Sequence, residues 1–203
     1  MSYASPRGLA PRVAHPLGVA SDEDVERELA ALVVELARRG VRIVRKSDVW
    51  HQKAIDAFLR VITLGQQTGF LTEFVTTIGH TIYVPDNFDS LPAWSRLAVL
   101  RHEAVHVGQW ERLGGPLDAL LYLTFPLPMG LAWARARLEW EGYAETLRTI
   151  ARLRGVDDAR SRRDWVVKQF TTGNYGWMWP FPGQVGQWFD EEMAAIERAR
   201  STS

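Results

Sequence analysis

The apolar positions of the chain recur mainly with the period of an α-helix. After Ser21, the residues Val25, Leu29, Leu32 and Leu36 follow helical spacing. Ser21 is a suitable N-cap and Gly40 a suitable stop, so the pattern predicts a helix over 21–40. The same reasoning predicts further helices over about 47–64, 91–113, 131–154, 158–170 and 189–200.

Two stretches follow the strand period instead. VRIVRK (41–46) alternates apolar and charged residues, which is typical of an edge strand. FLTEFVTTIGHTIYVPDNF (70–88) is rich in β-branched and aromatic residues, and Gly79 predicts a hairpin of 71–77 with 80–84. We therefore expect an α+β fold, predominantly helical, with a small sheet of about three strands beside the helix over 91–113.

The chain organisation predicted from these elements is one domain with additions at both ends. Residues 1–20 contain scattered Pro, Gly and Arg and no continuous apolar stretch, so we expect a flexible arm, no secretory signal and a cytoplasmic protein. Residues 21–155 form the predicted domain. Residues 156–203 form a helical, Trp-rich extension packed on it, in which 171–188 is interpreted as a structured loop.

One apolar run, ALLYLTFPLPMGLAWA (119–134), raises the question of a membrane. It is short for a bilayer span and contains two prolines, which favours a buried core segment. Interfacial membrane contact stays open as a less favoured alternative.

Composition narrows the possible chemistry. Lys+Arg and Asp+Glu number 24 each, so no basic footprint indicates a nucleic-acid partner. The chain has no cysteine, so any metal site must be built from His and carboxylates.

The segment RHEAVHVGQW (101–110) carries the most specific pattern. His102 and His106 stand four residues apart, so they share one helix face and can bind one zinc ion. Glu103 can reach a water at an open coordination position and act as its general base. Chance is the competing explanation for the pattern. The apolar surroundings argue against it, because a buried histidine pair without a ligand is costly.

A catalytic zinc needs a third protein ligand, and no histidine follows position 106. The segment ARLEWEGYAETLR (136–148) offers Glu139, Glu141 and Glu145. Glu139 and Glu141 flank the apolar face of this helix on opposite sides, so only one of them can face a given ion. Gly142, next to Glu141, would allow close approach of a neighbouring helix. A solvated helix face paired with arginines is the alternative interpretation of these glutamates.

HEAVH followed by EGYAE resembles the gluzincin branch of zinc metallopeptidases, in which a glutamate from a later helix completes the site. The resemblance implies Glu141 as the third ligand and Glu145, in place of the usual aspartate, as the acceptor for a ligand histidine. It covers roughly residues 21–155 and implies a zincin-like domain that cleaves peptide or protein substrates. It also implies that an extended substrate pairs with the edge of the strand HTIYVPD.

Some roles stay open at this point. Tyr175 is our candidate for an oxyanion donor, with Tyr143 as its competitor, although either tyrosine can equally be a core aromatic. A non-catalytic module with a zincin fold and a membrane-associated binding protein are the alternative functions. The sequence gives no indication of the oligomeric state.

Overall fold

The computed structural model describes residues 20–48, 75–114, 130–172 and 178–202, with the side chains of 130–132 left aside. The helices are α1 (Asp22–Arg38), α2 (Ala93–Leu113), α3 (Gly130–Arg154), α4 (Val156–Ser161), α5 (Arg163–Thr171) and α6 (Pro182–Ser201), and the strands are β1 (Arg42–Arg45), β2 (Thr76–Ile78) and β3 (Thr81–Val84). Short 3-10 turns occupy Lys46–Asp48 and Phe88–Ser90. The predicted α+β class, predominantly helical with a small three-stranded sheet, is confirmed.

The helix α1 begins as its sequence predicts. The backbone N–H of Asp24 donates to the Ser21 hydroxyl, so Ser21 is its N-cap. The buried residues of α1 are Val25, Leu29, Leu32 and Leu36. They join the sheet and α2 in one apolar core.

The sheet has the order β1-β3-β2, with β1 parallel and β2 antiparallel to β3. The hairpin turns at Gly79, whose φ of 59° is the left-handed conformation that glycine tolerates. Because β3 lies between two partners, it has no open edge. This corrects the expectation that an extended peptide pairs with the strand HTIYVPD.

The two long helices α2 and α3 pack against each other, and α1 also packs against α2. A second apolar core joins α3 to α4, α5 and α6 through residues such as Leu147, Phe170 and Phe189. The two segments that contain the predicted metal ligands therefore lie on neighbouring helices, between the two apolar cores.

The end of the chain differs from the prediction. The final helix begins at Pro182 rather than near residue 189, so 182–188 is helix and not loop. Proline is favourable in a first helical turn, and Val185 and Gly186 are buried against the rest of the protein. Gly186 admits the Arg163 guanidinium, which a Cβ atom would approach within 2.5 Å.

Several predicted segments lie outside the described residues. They are the arm before residue 20, the helix over about 47–64 beyond Asp48, the first part of the hairpin strand, and the apolar run up to residue 129. In the described ranges, no helix is both long and apolar enough to cross a bilayer.

Candidate metal centre

The two histidines of RHEAVHVGQW face each other on one side of α2. Their Nε2 atoms are 3.1 Å apart, and the ring centroids are 4.9 Å apart. Their side chains are only 12 % and 9 % exposed for His102 and His106, respectively. The predicted pairing of the two imidazoles on one helix face is what the structure contains.

A third ligand atom comes from α3. Oε2 of Glu139 lies 3.8 Å from Nε2 of His102 and 3.7 Å from Nε2 of His106, and this carboxylate is 5 % exposed. The circle through the three atoms has a radius of about 2.1 Å, which is the length of a Zn–N or Zn–O bond. These three residues could hold a divalent metal ion.

The opposite nitrogen of each ring makes a hydrogen bond that fixes its tautomer. The Thr146 hydroxyl donates to the carbonyl of Gly142 at 3.1 Å, so its oxygen accepts from Nδ1–H of His102 at 3.2 Å. Nδ1 of His106 lies 2.8 Å from Oε1 of Gln109, an acceptor. With each Nδ1 held in this way, both Nε2 atoms face the His102, His106 and Glu139 triangle, where they could bind a metal ion.

The charges around the triangle favour an anionic Glu139. Burial raises the pKa of Glu139, but its interaction with His102 and the positive charges around it outweigh burial and lower the pKa to about 2. Burial lowers the pKa of His102, but the carboxylates of Glu139 and Glu103 outweigh it and hold that pKa above its ordinary value. The centre therefore combines an ionised Glu139 carboxylate with two imidazoles, which is a donor set suited to a cation.

Gly142 makes this arrangement sterically possible. A Cβ atom at this position would lie 2.7 Å from both Cε1 and Nε2 of His102. The expectation that Gly142 allows close approach of a neighbouring helix is confirmed, because the imidazole of α2 occupies the space that a side chain would fill.

Glu103 lies at the junction of α2 with the sheet. Its carboxylate is 6 % exposed and accepts a hydrogen bond of 2.7 Å from the hydroxyl of Thr77 in β2. Because Glu103 directly follows His102, its charge is felt at the triangle and contributes to the raised pKa of that histidine. No pattern in the sequence singles out Thr77 as a partner of Glu103.

The predicted third ligand, Glu141, is not at the triangle. Its Oε2 accepts from Nε2 of Gln109 at 3.0 Å and from Arg112 at 3.1 Å. The glutamate that α3 brings to the two histidines is Glu139. The prediction of Glu141 as the third ligand is therefore not supported by the geometry. Helical geometry explains the error, because Gly142 lies three residues and roughly 60° around the helix from Glu139, but about 100° from its sequence neighbour Glu141.

The predicted role of Glu145 is also corrected. Its carboxylate lies 3.5 Å from Arg101 and 3.8 Å from Arg148, as expected for a helix face paired with arginines. The acceptor for a ligand histidine is Thr146 instead. The spacing of Glu139, Gly142 and Thr146, at i, i+3 and i+7 of one helix, was the available signal for this face.

Of the two tyrosine candidates, the structure describes only one, Tyr143. Tyr143 is buried. Its ring packs edge-on against His102 at 5.0 Å between centroids, and in a tilted arrangement against Phe170 at 5.3 Å. Tyr175 lies outside the described residues. His80 is exposed, and its Nε2 lies 3.3 Å from Oε1 of Glu111.

Comparison of the chain with models of known protein families, with curated proteins and with solved structures finds no match. The chemistry assigned to this centre therefore rests on its own residues and their arrangement.

Proposed function

We propose that the protein is a zinc-dependent metallopeptidase in which His102, His106 and Glu139 bind the ion. The observation that carries this proposal is the triangle of two Nε2 atoms and one carboxylate oxygen, whose circumscribed radius equals a zinc–ligand bond length. Two imidazoles and one carboxylate from a His-Glu-x-x-His helix and a later helix are a ligand set suited to catalytic zinc.

In this proposal, Glu103 transfers the proton from the attacking water to the leaving amine. Zinc bound in the triangle would polarise a substrate carbonyl and make a water molecule acidic near neutral pH. Glu103 adjoins the ligand His102, and the Thr77 hydrogen bond holds its carboxylate in place. As general base it accepts the proton of the attacking water, and as general acid it delivers that proton to the leaving amine.

The substrate we propose is an extended peptide or protein segment. The strand that brings a residue to Glu103 is β2, which forms one end of the described sheet order. A peptide segment adding to β2 would run past the catalytic carboxylate, with main-chain hydrogen bonds supplying affinity.

The test measures zinc binding and peptide cleavage separately. We expect one zinc per chain, lost in His106→Ala. We expect Glu103→Gln to keep the zinc and lose at least a hundredfold in kcat on a peptide library, because the general base is removed. Glu111→Gln is the matched control: it lies on the same helix and pairs with Arg39 at the surface. Equal zinc content in wild type and His106→Ala would contradict the proposal.

One observation supports a second candidate, a non-catalytic metal-binding module. Glu103 is buried and hydrogen-bonded, which is also compatible with a purely structural role. In that case the wild type binds zinc but cleaves no member of the library, and Glu103→Gln changes stability without changing any turnover.

A further inference from the structure

We infer that Gln109 is a positioning residue that fixes the metal-binding orientation of His106, and that Glu141 and Arg112 in turn fix the orientation of Gln109. This inference rests on the proposed zinc site. Glu141, which the sequence predicted as a ligand, would then act indirectly, by holding the side chain that contacts the ligand His106.

The amide of Gln109 has one allowed orientation. Its Nε2 lies 2.9 Å from the carbonyl oxygen of Leu138 and 3.0 Å from Oε2 of Glu141. Both of these partners are acceptors only, so a flipped amide would place oxygen against two oxygens. Gln109 is 1 % exposed, and burial makes such a mismatch costly.

The fixed amide determines the tautomer of His106. With Nε2 committed to Leu138 and Glu141, Oε1 of Gln109 faces Nδ1 of His106 at 2.8 Å and can only accept. The ring proton therefore resides on Nδ1, and Nε2 presents its lone pair to the metal position. Partners of this kind typically change metal affinity by about 10–100-fold when removed.

The hydrogen bonds that begin at His106 and pass through Gln109 end in a half-exposed ion pair of Arg112 with Glu141. Arg112 donates to Glu141 at 3.1 Å, with side-chain exposures of 49 % and 32 %. His106, Gln109 and Arg112 follow one another at intervals of three along α2, while Leu138 and Glu141 belong to α3. The hydrogen bonds thus cross the interface of the two helices that supply the ligands.

The test reads the tautomer directly in metal-free protein, by ¹⁵N NMR of the histidine side chains. We expect Nδ1 of His106 to carry a proton in the wild type, with its unprotonated Nε2 facing Nε2 of His102. In Gln109→Leu, we expect His106 to become a tautomer mixture while His102, held by Thr146, stays unchanged. The zinc Kd should rise roughly 10–100-fold. Gln169→Leu, which removes another buried amide, is the control and should change neither.

A second pair of variants keeps the test informative if Gln109→Leu does not fold. Gln109→Glu preserves the acceptor for His106, so the Nδ1–H tautomer should persist. Its second oxygen would face Glu141, and zinc binding should weaken. Adding Glu141→Gln supplies a donor to that oxygen and should recover at least part of the lost affinity.

The outcomes separate the two proposals. A His106 tautomer that is Nε2–H in the wild type, or that is unchanged in Gln109→Leu, overturns this inference alone. A wild-type protein that takes up no zinc overturns the proposed function.

Discussion

At the scale of single residues, the candidate site depends on one absent side chain. Gly142 leaves space for the imidazole of His102, and no larger residue fits there without displacing the ring. The chain offers a natural comparison, because Gly108 also lies in a helix, two residues after His106 in α2, and a Cβ atom there would meet nothing within 4 Å.

We predict opposite effects of the same substitution at these two glycines. Gly142→Ala should weaken zinc binding at least tenfold, because its methyl group occupies the position of the His102 ring. Gly108→Ala should leave zinc binding intact and stabilise the protein by about 0.5–1 kcal/mol through the helix preference of alanine. Zinc titration and urea unfolding measure the two effects. Similar zinc affinities in both variants would contradict the close approach of His102 to α3.

A second prediction at this scale distinguishes two glutamates of α3. Glu139→Gln should reduce zinc affinity by at least two orders of magnitude, because it removes the anionic ligand of the triangle. Glu141→Gln keeps an acceptor oxygen for Gln109 and should cost no more than about tenfold. Competition with a chelating dye measures both values. The reverse ranking would restore Glu141 as the ligand.

At the scale of elements, an ion-pair cluster joins three helices. Glu28 of α1 accepts from Arg152 of α3 at 2.6 and 2.7 Å and also from Arg101 of α2. Burial raises the pKa of Glu28, but the two guanidinium groups outweigh it and lower that pKa below its usual 4.5. The ionised form of Glu28 is therefore favoured in the folded protein.

The lowered pKa of Glu28 makes the free energy of unfolding depend on pH. A carboxyl group with a lowered pKa stabilises the fold above its unfolded pKa, and this contribution disappears as pH falls through the folded value. We predict that Glu28→Gln lowers the free energy of unfolding by about 1–2 kcal/mol at pH 7. The difference from wild type should shrink below about pH 4.5. Urea unfolding across this pH range measures it.

The control for this prediction is Glu35→Gln on the same helix. Glu35 forms no ion pair with the part of the chain that the structure describes, so its substitution should change stability little at either pH. A pH-independent loss in Glu28→Gln would show that the carboxylate charge is not what stabilises the helix junction.

The junction between the sheet and α2 supports a further prediction. Thr77→Val keeps the shape of the side chain but removes the hydroxyl that donates to the buried Glu103 carboxylate. We expect a loss of about 1–3 kcal/mol, because the carboxylate keeps its burial and loses a donor. Thr76→Val, one residue earlier in β2, should be near neutral. Combining Thr77→Val with Glu103→Gln should cost less than the sum of the two single changes.

At the scale of the whole molecule, the proposed zinc site lies where the two apolar cores meet. The helix α2 belongs mainly to the core with α1 and the sheet, and α3 to the core with the last three helices. An ion bound by His102, His106 and Glu139 would therefore link the two halves of the described structure.

This placement predicts that zinc stabilises the whole fold. At free zinc of 100 times its Kd, the stability gain should be about 2.7 kcal/mol, since the unfolded chain does not assemble the triangle. Thermal unfolding with zinc and with chelator should differ in Tm for the wild type and coincide for His106→Ala. An equal Tm in zinc and chelator for wild type would contradict the proposed site.

The sequence by itself determined the local structure and the central motif. Ser21 as a cap, the helical period of α1, the turn at Gly79 and the shared face of His102 and His106 all follow from interactions within a few residues. Such features depend on backbone geometry and nearest neighbours, which a single chain segment contains in full.

Only the tertiary structure decided which residues complete the site. Glu139 and Glu141 are both acidic residues beside the apolar face of α3, and their distinction depends on how that helix is rotated against α2. That rotation results from packing across both cores and from the contact of Gly142 with His102, at a sequence distance of 40 residues. The same holds for the central position of β3, because strand order is a property of the assembled sheet and not of any strand alone.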